Sequence, residues 1–93
     1  MKIEFDAVKS ERNARERGLP FGLVEAFEWE SAVLSEDGRF PYAETRFNAL
    51  GFIRNRLHVV CFTAIAGGVR IISFRKANER EVHRYEKEKA AGR

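Results

Sequence analysis

The sequence predicts an α+β fold built on an antiparallel, twisted sheet of four to five strands, with two helices before the sheet and one after it. Three observations carry this. β-rich segments follow one another between residues 44 and 76, separated by turns of hairpin length. Cap-type residues bracket charged stretches near both ends of the chain. With 93 residues, 44% of them apolar and eight of the aromatics Phe, the chain can fill one core and is expected to form a single domain over 1–93.

Lys2-Ile3-Glu4-Phe5 alternates polar and apolar residues, the pattern of a short strand. Asp6 is placed to cap a helix that carries the charged stretch to Arg17, with Gly18 at its C′ position and Pro20 beyond. Phe21, Leu23, Val24 and Phe27 predict a second, short helix. Trp29 to Leu34 leads into a strand. Glu36-Asp37-Gly38-Arg39 reads as a turn, and Pro41 keeps the following loop open.

The next strand is expected over Glu44 to Ile53, with Thr45, Phe47, Ala49 and Ile53 on one face and Glu44, Arg46 and Asn48 on the other. Asn55 marks its turn. Leu57 to Ala66 is almost wholly apolar, as a central strand covered on both faces would be. Gly67-Gly68 signals a two-residue hairpin into Val69 to Lys76. Asn78 then caps a last helix running to about Ala90, and Glu81 sits where a capping box needs it. Val82, Tyr85 and Ala90 form its sparse apolar side.

Net charge is +3, and its distribution is uneven. Residues 1–18 carry five Lys/Arg against four Asp/Glu, residues 19–69 four against six, and residues 70–93 eight against four. The basic excess therefore starts at Arg70, as suits a polyanion, although a solvated helix laced with ion pairs would look the same. One cysteine excludes an intrachain disulfide, and two histidines far from it offer no zinc spacing, so no metal is expected. The first residues show no apolar leader, and no apolar run approaches the ~20 residues of a membrane span. A cytoplasmic protein, without membrane contact, is the expectation.

Lys9, Asn13 and Arg17 lie at i, i+4 and i+8 and share one face of the first helix. Strand alternation places Val69, Ile71, Ser73 and Arg75 on one face and Arg70, Ile72, Phe74 and Lys76 on the other. Arg75 then emerges among core-type neighbours and needs a partner, for which Glu81 is one candidate. Unless a bulge intervenes, Arg70 and Arg75 cannot serve one site. His83 titrates near neutrality in principle but sits on a charged helix. His58 reads as a strand-end residue and Cys61 as a small apolar side chain. The catalytic signatures of α/β-hydrolases, P-loop proteins, zincins and dinucleotide-binding enzymes are missing.

Taken in order, Phe5-Asp6, Lys9, Asn13, Gly18, Phe21, Glu25-Ala26-Phe27, the run Glu44 to Gly51, the run Arg70 to Ala77, Glu81 and Tyr85-Glu86 resemble the BrnT toxin family. The resemblance spans residues 3–86, and Arg70-Ile71-Ile72-Ser73 followed by Arg75-Lys76-Ala77 is its most specific part. It implies a RelE-like fold and a toxin of a type II toxin–antitoxin system that arrests growth by cutting messenger RNA without a metal or cofactor. It also implies a ribbon-helix-helix antitoxin, joined in a heterotetramer and contacting DNA on the toxin's behalf. Such cleavage needs a base for the 2′-hydroxyl, cations for the pentacovalent phosphate and an acid for the leaving oxygen. On that basis Arg75 is assigned the cation role, with Lys9 assisting. Lys9, Glu81 and His83 are the alternatives for the base. Arg70, Lys76, Arg17, Asn13 and Arg80 are assigned to RNA contacts. Where the family commonly has Lys-His before the glycine, this chain has Glu16-Arg17, and Phe5 replaces a frequent Trp. These departures support a second reading, a catalytically weakened relative that binds its antitoxin or nucleic acid.

Overall fold

The computed structural model describes residues 1–39 and 43–92. The expectation for Pro41 lies outside them. Among the described residues, five strands, β1 (Lys2–Glu4), β2 (Val33–Glu36), β3 (Phe47–Ile53), β4 (Arg56–Ile65) and β5 (Gly68–Lys76), form one sheet in the order β1-β5-β4-β3-β2. Helix α1 (Ala7–Arg17) and two 3-10 helices (Phe21–Ala26 and Trp29–Ser31) precede β2, and α2 (Glu79–Gly92) follows β5.

The sheet is mixed, which corrects the antiparallel expectation. β2 to β5 pair antiparallel through short connections, but β1 pairs parallel with β5, Lys2 opposite Gly68 and Glu4 opposite Arg70. The chain leaves β1 through α1 and crosses to the far edge of the sheet. No hairpin dictates the direction of β1, so it docks on the free edge of β5. Gly68 permits this approach, because a Cβ there would overlap Lys2 O.

Helix α1 is fixed mainly at its ends. The Asp6 carboxylate accepts from Val8 N (2.8 Å) and Lys9 N (3.2 Å), and Gly18 takes φ 71°, the left-handed C′ conformation. Its one buried residue is Ser10, whose Oγ accepts from Phe21 N at 2.9 Å. The segment after it is a 3-10 helix rather than the expected α-helix. At three residues per turn, Phe21, Val24 and Phe27 form one stripe and are buried, while Leu23 is left exposed.

Two apolar clusters lie on opposite faces of the sheet. The larger gathers Phe21, Val24 and Phe27 with Ala49, Ile53, Val60, Phe62, Val69, Ile71 and Phe74. The smaller joins Leu50, Leu57 and Val59 to Ala77 and Tyr85, with Val82 and Phe52 packed against it. β4 is therefore covered on both sides along most of its length, as its composition predicts. Burying side chains such as Leu50, Val60 and Phe74 stabilises the fold by roughly 1.5–3 kcal/mol each. On α2, Val82 and Tyr85 face the sheet as expected, and Ala90 is exposed.

The β3–β4 turn falls on Arg54 and Asn55, as expected, with the positive φ (58°) at Arg54. The next turn lies one residue earlier than expected. The β4–β5 turn is centred on Ala66-Gly67, with Gly67 at φ 78° and Gly68 already paired with Ile65.

Candidate functional site

The chemistry of the site begins with a bulge in β5. Cys61 pairs with Ser73 and Phe62 with Ile71, so Ile72 is an extra residue with no partner on β4. The unbulged strand β4 sets Val59, Cys61 and Thr63 on one face, and their partners are Arg75, Ser73 and Arg70. Val69, Ile71, Phe74 and Lys76 fall on the other. This corrects the unbroken alternation expected for residues 69–76. The bulge that was needed to unite Arg70 and Arg75 on one face is present.

α2 covers only part of that face. Its first turn brings Glu81 to Arg75, with Nη1 donating to Oε1 at 2.9 Å and Nη2 to Oε2 at 2.8 Å. Glu81 is fixed from its own helix as well. Asn78 N donates to Glu81 Oε1 and Glu81 N to Asn78 Oδ1, each at 2.9 Å, which is the expected capping box. The paired guanidinium holds the Glu81 carboxyl down at about 2. The carboxylate in turn raises Arg75 above its ordinary value. Arg75 Nη1 also donates to Lys76 O at 3.3 Å. Among the described residues, Arg75 Nε forms no hydrogen bond, so that edge of the fork is available to an outside acceptor.

Beside this pair opens a cleft of about 320 Å³ lined by Ser35 to Arg39, Asn48, Val59, Arg75, Glu81 and Arg84. At its far wall the buried Asp37 carboxylate accepts from Arg39 Nε at 3.0 Å and Nη2 at 3.1 Å. The Arg39 guanidinium is the main cause that lowers the Asp37 carboxyl below its usual value. Among the described residues, Arg39, Arg75 and Arg84 thus meet Glu36, Asp37 and Glu81 in one cleft, Glu36 and Asp37 from the end of β2 and Glu81 from α2. Asp37, Arg39, Asn48 and Arg84 were not singled out from the sequence. Asp37 and Arg39 were visible there only as turn residues. Cys61 lies on the same face, buried, and burial pushes its thiol up, which leaves it unreactive.

The other expected residues are spread over separate places. Lys9, Asn13 and Arg17 share one cleft, of about 200 Å³, with Arg12, Glu16, Phe21, Ile72 and Ser73 at the edge of β5. Asn13 is engaged inside the protein. Its amide nitrogen donates to Leu19 O (2.7 Å) and Phe74 O (2.9 Å), tying α1 to β5 beyond the end of β1. Arg70 donates to Glu4 at 2.7 Å. His83 and Arg80 line a third cleft with Asn78 and Glu79. Lys76 is exposed on the face opposite Arg75. The structure therefore unites Arg75 with Glu81, and Lys9 with Asn13 and Arg17, and keeps His83 apart from both. His58 is buried, with Nδ1 at 2.8 Å from Arg56 O and its ring 5.4 Å from that of Phe74. Among the described residues no three His, Cys, Asp or Glu side chains gather as a metal site, and no helix is long and apolar enough to cross a membrane.

Residues 5–81 match the family described as "Ribonuclease toxin, BrnT, of type II toxin-antitoxin system". No curated protein and no solved structure matches the chain. The match covers most of the sequence and takes in α1, all of β2 to β5, and the Arg75–Glu81 pair.

Proposed function

The chain belongs to the BrnT family of ribonuclease toxins of type II toxin–antitoxin systems, and we propose that it cuts messenger RNA, without a metal ion, at the arginine cleft beside α2. The observation that carries this reading is Arg75, held along one edge by Glu81 with its Nε edge left for a phosphate. A guanidinium so fixed loses little freedom on binding and presents a planar donor pair to a phosphoryl oxygen. It stabilises the charge that grows as the 2′-oxygen attacks the adjacent phosphorus and the 5′-oxygen leaves.

In this reading Glu81 orients Arg75 and does not take the 2′-hydroxyl proton. A carboxyl held at about 2 stays ionised at neutral pH and is a weak base. Lys9 and His83 line other clefts. The 2′-hydroxyl proton then passes to solvent water and the leaving 5′-oxygen takes a proton from water, so catalysis rests on alignment and on positive charge supplied by arginine. Ser73 links the two basic places, since it faces the same way as Arg75 and also lines the Lys9 cleft. An RNA strand following β5 from Arg75 would meet the Lys9 and Arg17 cleft at Ser73, before reaching Arg70. The mixed sheet with α2 across one face is read as RelE-like. The antitoxin is read as a ribbon-helix-helix protein that carries the pair to DNA as a heterotetramer, and the toxin as cytoplasmic and growth-arresting.

One observation favours a weaker catalyst. Glu16 lines the same cleft as Lys9 and Arg17, and its carboxylate repels a phosphate there. The deciding experiment incubates the purified protein with labelled messenger RNA in EDTA beside Arg75→Ala. Fragments from the wild type that disappear with the variant support the ribonuclease. Intact RNA from folded protein supports the weakened relative.

A further inference from the structure

Between Gly18 and Gly38 the sequence has no Lys or Arg and carries Glu25, Glu28, Glu30, Glu36 and Asp37, whereas the rest of the chain is strongly basic. In the fold, part of this segment borders a groove of about 660 Å³ formed by Met1, Phe27, Glu28, Trp29, Glu30 and Ser31. Its floor is aromatic, because Phe27 and Trp29 pack edge to face at 4.7 Å and Trp29 stands on Phe62 at 5.2 Å. Its rim is acidic. Glu25, Glu28 and Glu30 are exposed, and among the described residues none of them forms an ion pair. Met1 is 70% exposed beside it and Leu23, on the preceding 3-10 helix, 41% exposed. Lys89 reaches Ser31 O at 3.1 Å from α2 at one end.

We propose that this groove is a protein-docking surface that receives a Lys/Arg-rich segment with an apolar face from the antitoxin partner of the family. Apolar floor and unpaired carboxylate rim ask for a ligand that is both apolar and cationic. RNA brings bases that stack on aromatic rings, but it brings them on a phosphate backbone that the acidic rim repels, so the groove does not extend the arginine cleft. Phe27 and Trp29 pack with the larger apolar cluster, on the sheet face opposite Arg75. The α2 of a second copy carries four Lys/Arg against four Glu, so it brings no net positive charge to the acidic rim.

Trp29 is the only tryptophan and lines the groove, so its fluorescence reports occupancy. The probe is a synthetic peptide of repeated lysine and leucine, with a glutamate-for-lysine version as control. The expected result is a saturable shift of Trp29 emission by the lysine peptide, absent with the control peptide. The affinity should be roughly tenfold weaker in Glu28→Gln/Glu30→Gln and unchanged in Arg75→Ala. No emission shift, equal binding by the control peptide, or full affinity in the double variant would overturn the proposal. So would sedimentation showing self-association that the double variant abolishes, since the occupant would then be a second copy. The two glutamates are exposed, and circular dichroism verifies that the variants fold. RNA cleavage is a separate measurement, so failure here leaves the ribonuclease reading standing.

Discussion

Arg70 and Arg75 project from the same face of the sheet, although they are five positions apart on one strand and an unbroken strand would set them on opposite faces. The extra residue is Ile72, and it restores the common face. Spanning four regular steps, the two guanidinium-bearing positions lie roughly 13 Å apart along the strand. If both meet phosphates of one RNA, each should leave its own signature in the salt dependence of binding. Arg70→Ala and Arg75→Ala are each expected to flatten the slope of log K against log salt by about 0.7, the single-strand value for one phosphate contact. A slope unchanged in Arg70→Ala would show that Glu4 keeps that side chain from RNA.

Glu81 makes a testable contribution to stability through its titration. Its folded-state value of about 2 lies below the ordinary 4.5, so the unfolded chain binds the proton more readily. The stabilisation is fully present above about 4.5 and is lost as pH falls toward 2. The Arg75 side chain is more than a third exposed, so solvent screening reduces the pair's worth to about 1–2 kcal/mol. Glu81→Gln should lower unfolding free energy by that amount at neutral pH and shrink the acid-side decline over this window to the part that Asp6 and Asp37 contribute. Urea unfolding at several pH values checks both. The same variant should slow RNA cleavage without shifting its pH profile near neutrality. A profile whose acidic limb disappears would instead make Glu81 the proton acceptor.

Asn13 separates a structural role from a phosphate contact. Its two donated bonds hold the backbone carbonyls of Leu19 and Phe74, and Asn13→Ala would leave both without that donor. The expected loss is about 1–3 kcal/mol of stability. Lys9→Ala, on the same helix face but exposed, should change stability by less than about 0.5 kcal/mol. Thermal unfolding of the pair decides it. Equal stabilities would mean the Asn13 bonds contribute little and free its amide for RNA.

What the sequence disclosed were features set by neighbouring residues. Asp6, Gly18, Asn78 and Glu81 announce helix ends because capping is a contact across three or four positions. The apolar run of β4 announces burial on both faces. What it concealed depends on distant partners. Nothing near Lys2-Ile3-Glu4 says that β1 will pair parallel with β5. The exposure of Leu23 follows from a three-residue period that its neighbours also fit to an α-helix. Ile72 looks like any strand isoleucine until the register with Cys61 and Phe62 is known. Hence Arg75 and Glu81 could be paired from sequence, being six residues apart. The opposing wall of the cleft, Asp37 and Arg39, comes from a different hairpin and could not.

His58 gives the protein a second pH response, in a different window from that of Glu81. Burial against Phe74 pushes its imidazole below the ordinary 6.5, and the bond to Arg56 O only partly opposes this. A histidine that is harder to protonate when folded favours the unfolded state once the unfolded imidazole takes a proton. Stability should therefore be constant above 6.5 and decline as pH falls below it, until the folded-state value is reached. Glu81 responds only further down, below about 4.5, so the two declines begin at different pH. His58→Gln should abolish the upper decline and leave the lower one intact, even if the substitution costs stability throughout. Following chemical unfolding from pH 8 to pH 3, on the order of half a unit per step, provides the measurement. An upper decline that persists in His58→Gln would assign it to another group and leave His58 as a packing residue.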